Sequence, residues 1–336
     1  MKVYITGQSH GIRRPPNGGP WRSFYQALTD RGLVVNDDLR TADAYVAMNH
    51  QWRLFRQARR AGIDTPRRIL VTWESPPIRA TNFRLSTIRR YGGHVGFSPL
   101  WPAPFGRQFL PWPQGQCFAD SCLLALDDWE RRRDSAALVS RNLASAVDGT
   151  LYALRREVLA VAPVGLITLT GGGWPTSFLQ DVRLGARAFG SALAQGKPPS
   201  WHLLRAHIRY APRGQGHPIE DKNAWLRRFR VALVIENSED YVSEKLFDAI
   251  AAGCVPVYVG PPLQSFGLDP TIAIESPAEA PRILEALQKA IAFQASDVKR
   301  MAKAHHDLVR STLPTWAADT VLGTLGRSIA THLLGT

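Results

Sequence analysis

Short apolar runs alternate along the chain with longer stretches in which apolar residues recur every three or four positions. Residues 2–6 predict a strand that ends in a Gly-rich turn. Trp21, Phe24, Tyr25 and Leu28 then carry the spacing of one helix face over residues 21–31. Strands are predicted at 44–48 and 68–73 with a helix at 52–61 between them, a rhythm that implies a parallel sheet with helices on its faces. Further strands are expected at 137–140 and 166–169, around a helix at 152–160. The second half repeats the pattern: a helix over 222–229, a strand at 231–235, a helix at 244–252, a strand at 255–259, then helices at 281–293 and 297–311. Residues 316–334 are apolar on one side through Val321, Leu322, Leu325, Ile329 and Leu333. Packing across a domain boundary is the expected use of that face, with a membrane-surface role as the alternative.

These elements predict an α/β protein of two Rossmann-like domains facing each other across a cleft. The expected boundaries give an acceptor-side domain over 1–162, a donor-binding domain over 163–312, and a C-terminal helical segment over 313–336. A chain of 336 residues is long enough for two cores. The Pro- and Trp-rich stretch at 99–116 is irregular by its chemistry, either a loop over the cleft or a connector. Architecture of this kind suits nucleotide-sugar chemistry, but fold alone does not give function.

Composition narrows the class. A hydrophobic content of 45% with 21% charged residues is that of a globular protein. Cys117, Cys122 and Cys254 are too few for a disulfide framework and have no zinc-site spacing, which points to a reducing compartment. No stretch is apolar for long enough to span a membrane, and the amino terminus has no signal-peptide character, so a cytoplasmic location is expected. The formal charge of +13 favours anionic partners. Blocks such as Arg131-Arg132-Arg133 and Arg227-Arg228 read as solvated helix faces, and no nucleic-acid motif accompanies them, so nucleic acid is not an expected partner.

The richest chemistry lies at residues 231–261, a buried strand, a polar loop, a helix stopped by Gly253, and a second buried strand. The loop falls at the carboxyl end of its strand, where open α/β sheets bind ligands. Ser243 is a suitable N-cap, which puts Glu244 and Lys245 in the first helical turn. A lysine there opposes the helix dipole, so an anion is expected beside it; a pyrophosphate on the helix N-terminus would satisfy both. The bland alternative leaves Glu244 and Lys245 as an exposed pair and Asn237 as a turn residue.

The segment resembles the signature of glycosyltransferase family 10, the α1,3/4-fucosyltransferases, in its soluble bacterial form. Glu236, Asn237, Ser238, Tyr241, Val242, Glu244, Lys245, Gly253, Pro256, Val257 and Gly260 fall on the family pattern, and Ser243 stands where Thr is usual. The resemblance implies a GT-B fold and a GDP-fucose site in which Asn237, Tyr241, Glu244 and Lys245 contact the donor, the Glu on ribose and the Lys on phosphate. It implies a second cation as well, for which Arg155 is preferred and Arg156 stands close behind; two solvated helix arginines are the alternative. Ser140 lies at the family's Ser-Asn position, here interrupted as Ser140-Arg141-Asn142. Gly172, within Gly171-Gly172-Gly173, is expected where backbone approaches the donor.

Inverting transfer needs a base for the acceptor hydroxyl. Glu74, in Trp73-Glu74-Ser75-Pro76 after an apolar strand, is the candidate, with burial beside Trp73 expected to raise its pKa. The Glu-Ser-Pro stretch also resembles the family, which implies the same role, and residues 82–99 echo the family more loosely. The expected activity is therefore inverting transfer of L-fucose from GDP-β-L-fucose to a glycan hydroxyl. Asp37-Asp38 and Asp127-Asp128 read as helix or turn acids, so no cofactor and no metal is expected to be required. A peripheral association with the inner face of a membrane, or with a lipid-linked glycan, is left open. The alternatives are a related enzyme using another GDP-sugar and a non-catalytic nucleotide- or carbohydrate-binding protein.

Overall fold

The computed structural model describes residues 1–6, 21–107, 109–114, 123–174, 177–209 and 219–335. The turn expected after Thr6, as well as Cys117 and Cys122, lies outside them. Contacts divide the chain into two compact units, residues 1–115 with 313–336, and residues 116–312.

The first unit is built on β1 (Lys2–Ile5), β2 (Val34–Val35), β3 (Ala44–Met48), β4 (Arg68–Val71) and β5 (Gly93–Val95). The helices α1 (Arg22–Thr29), α2 (Trp52–Arg60) and α3 (Leu85–Ile88) lie between them in sequence. The strands pair in parallel in the order β2-β1-β3-β4-β5. Every residue of β3 and β4 is buried, as expected of strands covered on both faces. Residues 109–114 are irregular as predicted, but they are stitched within this unit: Gly96 bridges to Phe109 and Gln114 to Ala317.

The second unit begins with α4 (Leu126–Glu130) and β6 (Arg133–Val139), then α5 (Tyr152–Val161), β7 (Ile167–Thr170), α6 (Phe178–Ala194) and α7 (Trp201–Arg209). It continues through α8 (Lys222–Leu226), β8 (Phe229–Ile235), α9 (Glu244–Ala251), β9 (Val255–Val259), β10 (Ile274–Glu275), α10 (Ala280–Ile291) and α11 (Ala295–Ser311). Its parallel sheet runs β10-β9-β8-β6-β7. Numbered within each unit, both sheets have the doubly wound order 2-1-3-4-5. The connections diverge between strands 1 and 3, and the crevice at the carboxyl ends there is the usual ligand position. In the second unit those strands are β6 and β8. Leu138, Leu154, Val158, Val231, Leu233, Val257, Ile283 and Leu287 are among the residues that form its core.

The chain ends in α12 (Leu313–Trp316) and α13 (Ala318–Leu334), which belong to the first unit. The apolar side of α13 is covered by α1 inside that unit, rather than lying across a boundary. A Cβ at Gly326 would fall 2.6 Å from the Phe24 carbonyl oxygen, so the glycine sets how closely the two helices approach. The expected division near residue 163 also differs from the contact-defined one. β6 carries hydrogen bonds to both β7 and β8, which places it and α5 in the second unit. The helix predicted over 222–229 stops at Leu226, because Phe229 is already buried at the start of β8.

Candidate active site

In the second unit, residues 236–243 form the loop between β8 and α9. The Glu236 side chain is fully buried. Its Oε1 accepts from the Ser243 backbone N–H (2.9 Å), and its Oε2 accepts from the Ser243 hydroxyl (2.6 Å) and the Lys245 ammonium (3.2 Å). Lys245 Nζ also donates to Ser243 Oγ at 2.8 Å. One carboxylate thus ties the start of the loop to the N-cap and first turn of α9. The anion predicted beside Lys245 is therefore present within the chain, and it offsets the unfavourable dipole. Glycine is required opposite: a Cβ at Gly260 would sit 2.9 Å from Glu236 Cγ and 2.4 Å from the Tyr258 hydroxyl.

Glu244 is half-buried at the head of α9. Burial pushes its pKa up, but Lys245, its own backbone N–H, Lys222 and the Ser243 hydroxyl together hold it below the usual carboxyl range. It is an ionised acceptor at neutral pH. Asn237 donates through Nδ2 to the Tyr241 hydroxyl (3.0 Å) and accepts at Oδ1 from Arg155 Nη2 (2.8 Å). The same Arg155 nitrogen donates to the carbonyls of Ile235 (2.8 Å) and Glu236 (2.9 Å). Arg155 is thus the strut under the loop, and burial lowers its pKa, with Tyr152 and Glu236 opposing.

Arg156 is also fully buried. Its Nε donates to Asn142 Oδ1 (3.0 Å), its Nη2 pairs with Asp181 (2.7 Å), and its guanidinium lies 5.7 Å from the centre of the Trp174 ring. This differs from the expectation that Arg155 or Arg156 faces a pyrophosphate. α5 is covered around most of its circumference, so both adjacent arginines point inward to internal acceptors. Arg141, which follows Ser140 at the carboxyl end of β6, is exposed.

The ends of β6 and β7 are clasped together. Ser140 N–H donates to the Thr170 carbonyl (2.9 Å), Asn142 N–H to the Gly172 carbonyl (2.9 Å), and Trp174 Nε1–H to the Ser140 carbonyl (2.8 Å). Within the triple glycine the spatial demand falls on Gly171, not on Gly172. A Cβ at 171 would lie 1.9 Å from the Ser140 carbonyl oxygen, with φ at +129°, whereas one at 172 meets open space.

In the first unit, Glu74 is half-buried just past the carboxyl end of β4. Trp73 beside it stacks on Phe97 (4.2 Å between centroids) and meets Trp112 edge-on (5.6 Å). Asn49, left-handed at φ 64°, accepts at Oδ1 from the Trp73 backbone N–H (3.1 Å) and from Asn82 Nδ2 (2.8 Å). Asn82 in turn accepts from the His50 N–H (2.9 Å), and His50 Nδ1 lies 2.7 Å from the Tyr91 hydroxyl. Burial, with Arg90 and Arg79 nearby, pushes the His50 pKa down to about 4, so its ring is neutral at pH 7. The sequence reading did not single out Asn49, Glu236 or Gly260 for these roles. The signals available were an Asn directly after a buried strand and two motif positions whose partners are distant in sequence.

The paired aspartates behave as turn and helix acids: Asp38 caps a short turn and pairs with Arg40, and Asp128 pairs with Arg132. Among the described residues, no group of three or more His, Cys, Asp and Glu side chains is arranged to hold a metal ion. None of the described helices is long and apolar enough to cross a membrane.

Two parallel-sheet α/β units with this strand order make the GT-B fold of glycosyltransferases, and solved structures bear this out. An α1,3-fucosyltransferase matches 98% of this chain and 89% of its own, at TM-score 0.51 and 13% identity. An E. coli trehalose-6-phosphate protein bound with UDP-2-fluoro glucose matches 98% of both chains at TM-score 0.56 and 12% identity. The UDP-forming trehalose-phosphate synthase of Burkholderia xenovorans matches 87% of this chain and 74% of its own, at TM-score 0.51 and 13% identity. By sequence, a protein of Arabidopsis thaliana named fucosyltransferase-like is 52% identical over 66 residues. That match covers 18% of this chain and 13% of the relative's length. No protein-family model matches the chain.

Proposed function

We propose that the protein is an inverting glycosyltransferase that moves L-fucose from GDP-β-L-fucose to a hydroxyl of a glycan in α1,3/4-type linkage. The observation that carries this reading is the head of α9 at the carboxyl end of β8. There, ionised Glu244 and anchored Lys245 adjoin the Asn237–Tyr241 pair, in a sequence that follows the fucosyltransferase pattern. Glu244 would accept from the ribose hydroxyls. An ammonium has three protons, two of which reach Glu236 and Ser243, and the third would meet the pyrophosphate. Arg141, exposed beside the point where β6 and β8 diverge, would be the second cation, with Arg155 holding Asn237 from behind. The rigid β6–β7 clasp of Ser140 and Gly172 would floor the donor site.

In this mechanism Glu74 takes the proton of the acceptor hydroxyl as its oxygen bonds to the anomeric carbon. The bond from that carbon to the phosphate oxygen breaks on the opposite face, and GDP leaves. Lys245 and Arg141 stabilise the charge that grows on the diphosphate, an electrostatic contribution that is usually large. The residues given a role require no metal. A transferase for another nucleotide sugar is the second reading, favoured by the fold match at TM-score 0.56 to a protein bound with a UDP-sugar analogue.

The test offers labelled GDP-fucose, GDP-mannose and UDP-glucose in parallel with a panel of glycan acceptors, following GDP or UDP release and product mass. Fucose transfer alone supports the proposal, and transfer from UDP-glucose selects the second reading. Glu74→Gln should lower turnover by roughly 10² to 10⁴ with GDP affinity unchanged; a variant with full turnover removes Glu74 from the chemistry.

A further inference from the structure

The helix α6 is packed inside out. Its buried positions are Asp181, Gly185, Ala188 and Ala192, of which Ala188 and Ala192 lie in a small cluster with Ala146, Val147 and Leu204. Four of its large apolar residues face outward instead, with Leu184 part-buried: Phe178 is 70% exposed, Leu179 67%, Val182 39% and Leu193 55%, and Trp201 at the head of α7 is 72% exposed. Phe189, part-buried on the same helix, lies 5.3 Å from Trp201 between ring centres. From Phe178 to Leu193 the stripe runs about 22 Å at ~1.5 Å per residue. Burial of such side chains is the main drive of folding, so a contiguous exposed set of them marks a surface that another body covers. α13 supplies the contrast, since Val321, Leu322, Leu325 and Ile329 on its apolar side are buried within its own unit.

The charge around the stripe says what that body is. Arg183 and Arg187 are exposed on α6, and Arg205 and His202 on α7. Between Glu157 and Glu220 the sequence contains one acidic residue, Asp181, and its carboxylate is buried against Arg156. The outer surface of this helix pair therefore has cations and no anion of its own among the described residues. A helix with a long apolar stripe, arginines at its flanks and an aromatic residue beside it is built to lie in the headgroup region of an anionic bilayer.

We propose that α6, with Trp201, is a membrane-surface helix that seats the protein on an anionic lipid bilayer. The apolar stripe enters the boundary between headgroups and acyl chains, while Arg183, Arg187 and Arg205 meet lipid phosphates. The proposal is independent of the donor and acceptor assigned above.

The experiment is flotation of the full chain with vesicles of phosphatidylcholine, alone or with about 30 mol % phosphatidylglycerol, a content that gives an anionic surface. Binding to the anionic vesicles, weakened by salt, is expected. Each of Arg183→Gln and Arg187→Gln should reduce the partition coefficient about fivefold, as expected for one basic residue near such a surface. Phe178→Ser combined with Leu179→Ser should reduce it at least about tenfold through lost apolar insertion. All four side chains are exposed, so an unchanged thermal unfolding midpoint checks that the fold is intact. Failure to bind, equal binding to neutral vesicles, or binding indifferent to every variant overturns the proposal. Sedimentation showing a dimer that the Phe178→Ser, Leu179→Ser variant dissolves also overturns it, and assigns the stripe to a second copy of the chain.

Discussion

Glu236→Gln tests whether one buried carboxylate holds the β8–α9 loop on α9. In the native protein three donors converge on it: the Ser243 N–H, the Ser243 hydroxyl and the Lys245 ammonium. An amide offers one oxygen to those donors, turns an N–H₂ toward another, and leaves the ammonium without its counter-charge. Removing one partner of a buried ion pair costs roughly 3–5 kcal/mol. Lys245 keeps 17% of its side chain exposed and can recover some water, so the lower end, about 3 kcal/mol, applies. With a urea slope of about 3 kcal/mol/M for a unit of this size, the midpoint should fall by about 1 M. Lys245→Met alone leaves the fully buried Glu236 charge unpaired and should cost more, about 4–5 kcal/mol. Together the two substitutions should cost at least about 2 kcal/mol less than their sum, because each removes what the other leaves stranded. Equilibrium unfolding of wild type, both single variants and the double variant gives this cycle directly. A shift below about 0.2 M for Glu236→Gln, or strict additivity in the cycle, would refute the clamp.

Further predictions concern the β6–β7 clasp and acid stability. Gly171→Ala should cost more than about 3 kcal/mol or abolish folding, since its Cβ collides with the Ser140 carbonyl, while Gly172→Ala should cost under about 1 kcal/mol. Soluble yield and urea midpoints distinguish them, and equal effects at the two positions would contradict the geometry. His305 is buried in α11, hydrogen-bonded through Nε2 to the Ile272 carbonyl (2.9 Å), and burial pushes its pKa down to about 4. The unfolded chain, with a histidine pKa near 6.5, therefore binds the extra proton first. The stability contributed by the neutral ring is complete above about pH 6.5 and declines toward pH 4, by up to about 3 kcal/mol. Urea midpoints of wild type and His305→Gln at pH 7 and pH 5 should converge as the pH falls, and parallel declines would remove His305 from the acid response. In the proposed donor site, Arg155→Lys should weaken GDP binding about tenfold by releasing Asn237, since the lysine side chain is one bond shorter and its ammonium falls short of the three acceptors that Arg155 Nη2 meets; calorimetry with GDP measures it.

The elements formed by contiguous residues were legible in the sequence. β3 and β9 span the predicted residues, and the loop between β8 and α9, with Ser243 as N-cap, stands where the apolar run, the polar break and the helical spacing put it. Such features depend on neighbours three or four positions away, and those neighbours are in the pattern itself. α6 escaped that reading because its large apolar residues face outward over a buried side of small residues, which blurs the expected periodicity. What only the tertiary structure decided involves partners far apart along the chain. Paired residues of β6 and β8 lie more than ninety positions apart, α13 returns to α1, Arg156 finds Asp181, and Lys245 finds its anion in Glu236. The sequence determines which groups are charged and which strands are apolar. Whether a charge faces a ligand or an internal partner is settled only when packing removes it from water, because desolvation then forces it to find the nearest complement the fold provides.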